Sequence, residues 1–276
     1  MTDDYLWDKS GKDDEVERLE KLLAPLAHRE PRRWGLRLAA VWTATAAAVL
    51  LVIASMLMPA SKPAPLSTET QEIDLGAVGR VVVEPNSRVT ILKRGNDLVK
   101  LRLEVGTIHA SISASTKPRL FQVETPTTTC VDLGCHYTLT VDGDGRTIVH
   151  VTTGRVAFVD GAREVYVPRG ANCRAGRSGA GTPVWDDAPA PLVGAVRRYD
   201  DRAGSARDLI ERCTQPRDSL MLWHLLADRD DAVVAQALDA LMERGPAPVG
   251  VTREATLKRD AAALEAWKDH LSGEWW

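Results

Sequence analysis

From Leu38 to Met58 the chain reads LAAVWTATAAAVLLVIASMLM, without a single Asp, Glu, Lys or Arg. An α-helix rises 1.5 Å per residue, so about 20 such residues cross a hydrocarbon core of roughly 30 Å. A buried helix of a soluble domain rarely stays apolar around its whole circumference for so long. A cleaved secretory signal has a shorter apolar region, about 7–15 residues, close behind a short basic start. The stretch therefore predicts one membrane span over residues 38–58. Arg29, Arg32, Arg33 and Arg37 crowd its N-terminal flank, while Lys62 is the only basic residue just beyond Met58. Positive charge stays on the cytoplasmic side. That orientation predicts a single-pass protein of a bacterial inner membrane, with residues 1–37 cytoplasmic and the rest periplasmic, where disulfides persist.

The remaining chain divides by periodicity. Residues 59–71 are rich in Pro, Ser and Thr and read as a linker. Over residues 72–176 short segments alternate apolar and polar side chains: RVVVE, SRVTILK, LVKLRLEV, TIHASIS, LFQVE, HYTLTV, TIVHVTT, RVAFV and REVYV. Turn residues such as Pro85-Asn86, Gly95-Asn96-Asp97 and Asp142-Gly143-Asp144-Gly145 separate them. This pattern predicts an all-β domain, a sandwich, roll or solenoid-like stack. Residues 177–190, Gly- and Pro-rich, read as a second linker. From residue 191 apolar residues recur at three- and four-residue spacing, predicting a small α-helical bundle over 191–276. Leu220, Leu222, Trp223, Leu225, Leu226, Val233, Val234, Ala237, Leu238 and Leu241 form its shared apolar face, more simply a core than a docking platform.

The N-terminal segment carries one amphipathic helix, about Asp13 to Leu26, with Leu19, Leu22, Leu23 and Leu26 on one stripe. With Tyr5 and Trp7 it suits a groove on a protein partner. The plainer reading lays it on anionic lipid through the four arginines.

Catalytic signatures are missing: there is no GxSxG, HExxH, GxGxxG or GxxxxGK[ST]. A zinc site from Cys130, Cys135, His136 and His150 lacks the short Cys-x-x-Cys spacing. A net charge of -3 argues against direct nucleic-acid binding. We therefore expect no enzyme, no cofactor and no metal.

Several motifs occur in a familiar order: Thr125-Pro126, then Gly134-Cys135-His136-Tyr137-Thr138-Leu139, Gly154-Arg155-Val156-Ala157-Phe158 and Val165-Tyr166-Val167-Pro168-Arg169-Gly170. Val82, Ser87, Val89, Ile91, Leu103 and Gly106 precede them at matching positions. Over about one hundred residues the segment resembles the FecR domain, a periplasmic sensor and regulator. Cys135 stands where that pattern has Thr, Leu133 where it has Arg, and Asn86-Ser87 replaces a Gly-Ser turn. The resemblance implies a regulator of an extracytoplasmic-function sigma factor, bound through the cytoplasmic segment, with a periplasmic protein or ligand on the β domain. The competing reading is an envelope module that binds protein or glycan and has no sigma-factor output.

The cysteines have several possible fates. Were residues 128–141 one strand, Cys130 and Cys135 would face opposite ways, about 16 Å apart at ~3.3 Å per residue. A disulfide needs Cα atoms within roughly 7 Å, so that pair requires a turn at Asp132–Gly134. Cys173, closing the last strand, is the expected partner of Cys135, in a bridge worth about 3–4 kcal/mol. Cys130 and Cys213 are left to pair or to stay buried thiols.

Overall fold

The computed structural model describes residues 65–113, 117–161 and 163–275. The expected span 38–58 and segment 1–37 lie outside the described residues. Among the described residues no helix is long and apolar enough to cross a membrane.

A single long strand organises the sheets. The two runs LVKLRLEV and TIHASIS are one element, β4 (Val99–Ile112). Val99, Leu101 and Leu103 are buried in its first half, Ile108, Ala110 and Ile112 in its second. Side chains alternate along a strand with period two, so buried positions that change from odd to even need an irregularity between them. Gly106 supplies it, with φ at 101°, a backbone region that glycine enters without a Cβ penalty. A Cβ there would meet Ser87 Cα at 2.4 Å. Ser87 Oγ accepts from Thr107 N–H at 2.9 Å and donates to Thr107 C=O at 3.1 Å, satisfying the backbone groups at the corner. Around that corner β2 (Gly79–Val83) and β3 (Arg88–Arg94) run as one interrupted strand antiparallel to β4.

β4 thus belongs to two layers. The first contains β1 (Gln71–Asp74), β2, the second half of β4, β7 (His136–Val141), β8 (Thr147–Thr153) and β11 (Ala171–Gly176), all antiparallel. The second contains β3, the first half of β4, β5 (Phe121–Glu124), β6 (Thr129–Asp132), β9 (Arg155–Asp160) and β10 (Arg163–Pro168). Among the described residues only β4 and β5 pair in parallel. With two further short strands, these make one folded, nearly barrel-like sheet of 13 strands among the described residues. The turn expected at Asp142–Gly145 closes the β7–β8 hairpin, with Asp142 Oδ1 accepting from the N–H groups of Asp144 and Arg146, both at 2.9 Å.

The linker expected at 177–190 is a correction. β12 (Gly179–Ala180) and β13 (Val184–Trp185) both pair with β11. Ala180, Val184 and Trp185 are buried, and their apolar surface draws this Gly-rich segment onto the sheet.

Six helices follow: α1 (Ala190–Asp200), α2 (Ala206–Arg212), α3 (Ser219–Leu225), α4 (Asp231–Met242), α5 (Arg253–Leu257) and α6 (Ala261–Leu271). Side chains cap four of them: Ser205, Asp230, Thr252 and Asp260 each accept a hydrogen bond from a first-turn N–H. The run 253–271, continuous in its apolar period, is broken where Arg259 takes φ of 57°. Every residue of α3 is buried, and the apolar face expected over 220–241 is buried throughout. Tryptophans tie the helices down by their indole N–H groups. Trp223 donates to Leu264 O at 2.9 Å, Trp267 to Thr256 Oγ1 at 3.1 Å, and Trp275 to Ser219 Oγ at 2.9 Å. The helices share one hydrophobic core with the sheet.

Candidate interaction surfaces of the β domain

The cysteines come first, because they are the site residues named from sequence that the structure describes. All four are buried and free. The expected Cys135–Cys173 disulfide is therefore a correction, and the sheet register gives its reason. Cys173 lies opposite Val149, and Val149 opposite Leu139, four positions beyond Cys135. That is about 13 Å along the strands and about 9–10 Å across them, far outside disulfide reach. Cys135 instead donates its thiol hydrogen to Asp132 Oδ1, and Cys173 faces the carbonyls of Arg174 and Gly181, each at 3.6 Å. Burial pushes the Cys130, Cys135 and Cys173 thiols well above their ordinary range and Cys213 up to about 12. Thiolate is the reactive form, so these side chains are packed sulfur rather than nucleophiles. Nor do Cys130, Cys135, His136 and His150 gather: among the described residues no cluster of three metal-ligating side chains occurs.

The other expected positions lie outside the described residues. They are Tyr5, Trp7, Leu19, Leu22, Leu23 and Leu26 of the partner-binding stripe, and Arg29, Arg32, Arg33 and Arg37 of the flank.

Two surfaces that the sequence did not announce are assembled by the sheet. Across the outer face of the first layer, register sets Glu72, Val82, His109, Thr138, His150 and Asn172 in one row. His109 Nδ1 lies 3.0 Å from Thr138 Oγ1 and its Nε2 lies 2.6 Å from Glu84 Oε1. His150 Nε2 lies 2.7 Å from Asp186 Oδ2, and Asn172 Nδ2 donates to Asp186 Oδ1 at 2.8 Å. Thr138, His109 and Glu84 follow the order of a nucleophile relay. They stand on an open strand face and line neither of the two clefts described in the domain.

A cleft of about 310 Å³ opens where β10 meets α6, lined by Arg119, Leu133, Arg155, Tyr166, Lys268 and Asp269 among others. Arg119 Nη2 grips both Glu164 oxygens, at 2.7 and 2.8 Å. Tyr166 donates to Glu164 Oε2 at 2.7 Å, and Lys268 Nζ lies 4.8 Å from the Tyr166 ring centre. Against the pull of burial, the bonds from Tyr166 and Arg119 hold Glu164 below its usual carboxylate range. Positions 119, 164 and 268 are too far apart in sequence for any local pattern to associate them. The fold alone unites them.

These features define a class: a large, nearly barrel-like mixed sheet followed by helices, whose described surface offers a polar row and a charged cleft. Residues 66–157, about a third of the chain, match the family model for FecR protein. The match runs from just before β1 to the middle of β9. Two crystal structures of a candidate anti-sigma factor from Parabacteroides distasonis ATCC 8503, at 1.65 and 2.50 Å, also align with the chain. Each alignment has 16% identity and a TM-score of 0.37, covering 49% of this chain and 63% of that one. The chain thus spans less than two thirds of that protein. No curated protein matches it.

Proposed function

We propose that the chain is a membrane-anchored, FecR-like regulator of an extracytoplasmic-function sigma factor. The observation that carries this reading is a FecR domain placed directly behind a long uncharged stretch, residues 38–58, in the same chain. Residues 38–58 cross the inner membrane, the arginine-flanked segment 1–37 stays in the cytoplasm, and the β domain and helices lie in the periplasm. A periplasmic protein or ligand binds the β domain, and the sigma factor binds the stripe of Leu19, Leu22, Leu23 and Leu26 with Tyr5 and Trp7. Only a difference in affinity between bound and free states transmits the signal, because a ligand shifts an equilibrium solely by that difference. No group of the chain is given a catalytic role.

The test uses the full-length chain with each extracytoplasmic-function sigma factor of its host, co-expressed and purified in detergent. One sigma factor should be retained by the wild type and lost when Leu19, Leu22 and Leu23 are changed to Asp. Retention of none by the wild type overturns the proposal. Alkaline phosphatase fused after Leu66 should be active in cells; an inactive fusion reverses the assigned topology.

A further inference from the structure

The second layer ends at β3, which among the described residues pairs with β4 alone. The neighbouring edge of the first layer is treated differently. There β1 covers β2, and the cover continues back to Ser67, whose N–H donates to Ser87 O at 2.8 Å and whose C=O accepts from Asn86 N–H at 2.7 Å. Among the described residues the cover stops there, one position before β3 begins. Along β3 itself Ile91 is 45% exposed and Leu92 38%. A bare strand edge offers a row of unpaired backbone groups, and apolar side chains on it make a template for another strand.

Charge selects the occupant. Lys93 stands directly opposite Lys100, and Arg102 lies opposite Thr90. Like charges facing each other across two strands destabilise a sheet. Glu124 reaches both Lys100 and Arg102, and Glu104 pairs with Arg88. Among the described residues no carboxylate pairs with Lys93 or Arg94; the Arg94 guanidinium meets only the Asp74 carbonyl. This end of the layer therefore holds uncompensated positive charge beside exposed Ile91 and Leu92. A second copy fits poorly, because a symmetric antiparallel β3–β3 pairing sets Arg88 opposite Arg94 at both ends of the strand.

We propose that the β3 edge docks an extended acidic segment of a partner protein, which joins the second layer as an additional strand. Its carboxylates face Lys93 and Arg94, and its apolar residues cover Ile91 and Leu92. This inference does not depend on the sigma-factor reading, and its test leaves residues 1–37 untouched.

The experiment uses the full-length chain in detergent micelles and two fluorescein-labelled peptides, Glu-Val-Glu-Val-Glu-Val-Glu and its lysine counterpart. Fluorescence anisotropy at low salt should show the acidic peptide binding about ten-fold or more tighter than the basic one. Hydrogen exchange should slow at residues 88–94 on binding. The variant K93E/R94E, altered at two exposed positions, should reverse the preference, a gain that misfolding does not produce. Equal binding of both peptides, or protection mapped away from 88–94, overturns the proposal. So does protection, before any peptide is added, of the outward amides of 88–94 that do not bond to β4, since the chain or a second copy would then already cover the edge.

Discussion

Replacing His224 with glutamine tests how the helical cap is joined to the sheet. His224 lies on α3 and is 2% exposed. Tyr166 N–H, on the edge strand β10, donates to its Nε2 at 3.0 Å, so Nε2 carries no proton. Nδ1 donates to Leu220 O at 2.7 Å. The ring is therefore neutral with both nitrogens used. Burial, aided by the charge of Arg163 and opposed by the Leu220 bond, lowers its pKa from 6.5 to about 3. An unfolded imidazole takes up a proton below about pH 6.5, whereas the native one does not until far lower. Stability carried by this residue is thus complete above that pH and falls on acidification, by about 1.4 kcal/mol per pH unit. Between about pH 6.5 and pH 5 the loss is about 2 kcal/mol.

Asp200 works in the opposite sense. Burial raises it to about 6, although it accepts hydrogen bonds from Thr182. The native state takes up that proton before the unfolded state does, which stabilises the fold as pH falls from about 6 toward 4. The two effects offset each other in a plain acid titration. A comparison with H224Q separates them, because glutamine keeps an acceptor near Tyr166 N–H and does not titrate. Urea unfolding of residues 63–276, a compact unit, followed by tryptophan fluorescence, supplies the measurement. The stability difference between wild type and H224Q should shrink by about 2 kcal/mol from about pH 7.5 to pH 5. Parallel pH profiles would refute the neutral, buried histidine and the junction built on it.

Two further outcomes follow from the sheet. Gly106→Ala should cost about 3 kcal/mol or more, because its Cβ collides with Ser87 and its φ disfavours L side chains; a loss below about 1 kcal/mol by urea unfolding contradicts the corner. A thiol reagent should label none of the 4 cysteines quickly in the native chain and all of them in guanidinium without reductant; two labelled instead of four would reinstate a disulfide.

Much of the β domain was legible residue by residue. In VKLRLEVGTIHASI, from Val99, the apolar side chains fall on odd positions before Gly106 and on even positions after it, so the corner in β4 is already written there. β1 and β6 are harder to see. Each has four residues, and β1, burying none of them, shows no apolar alternation. The strands of 177–190 were missed because glycine content suggested a linker, while the burial of Ala180, Val184 and Trp185 depends on a surface formed elsewhere. The cysteines misled for a related reason. Their spacing identified a candidate pair, but register, invisible in any one strand, set them too far apart.

Local periodicity determined which segments are strands, which are helices and which face of each is apolar, since a period of two or of 3.6 residues is a property of the chain itself. It also marked the uncharged stretch and the motif order of the FecR domain. Tertiary structure alone decided that β4 and β5 run parallel, that His224 receives the N–H of Tyr166, that Arg119 and Lys268 share a cleft, and that among the described residues β3 pairs with β4 alone. Those outcomes rest on many weak contacts between residues distant in sequence, whose sum favours one pairing over its competitors.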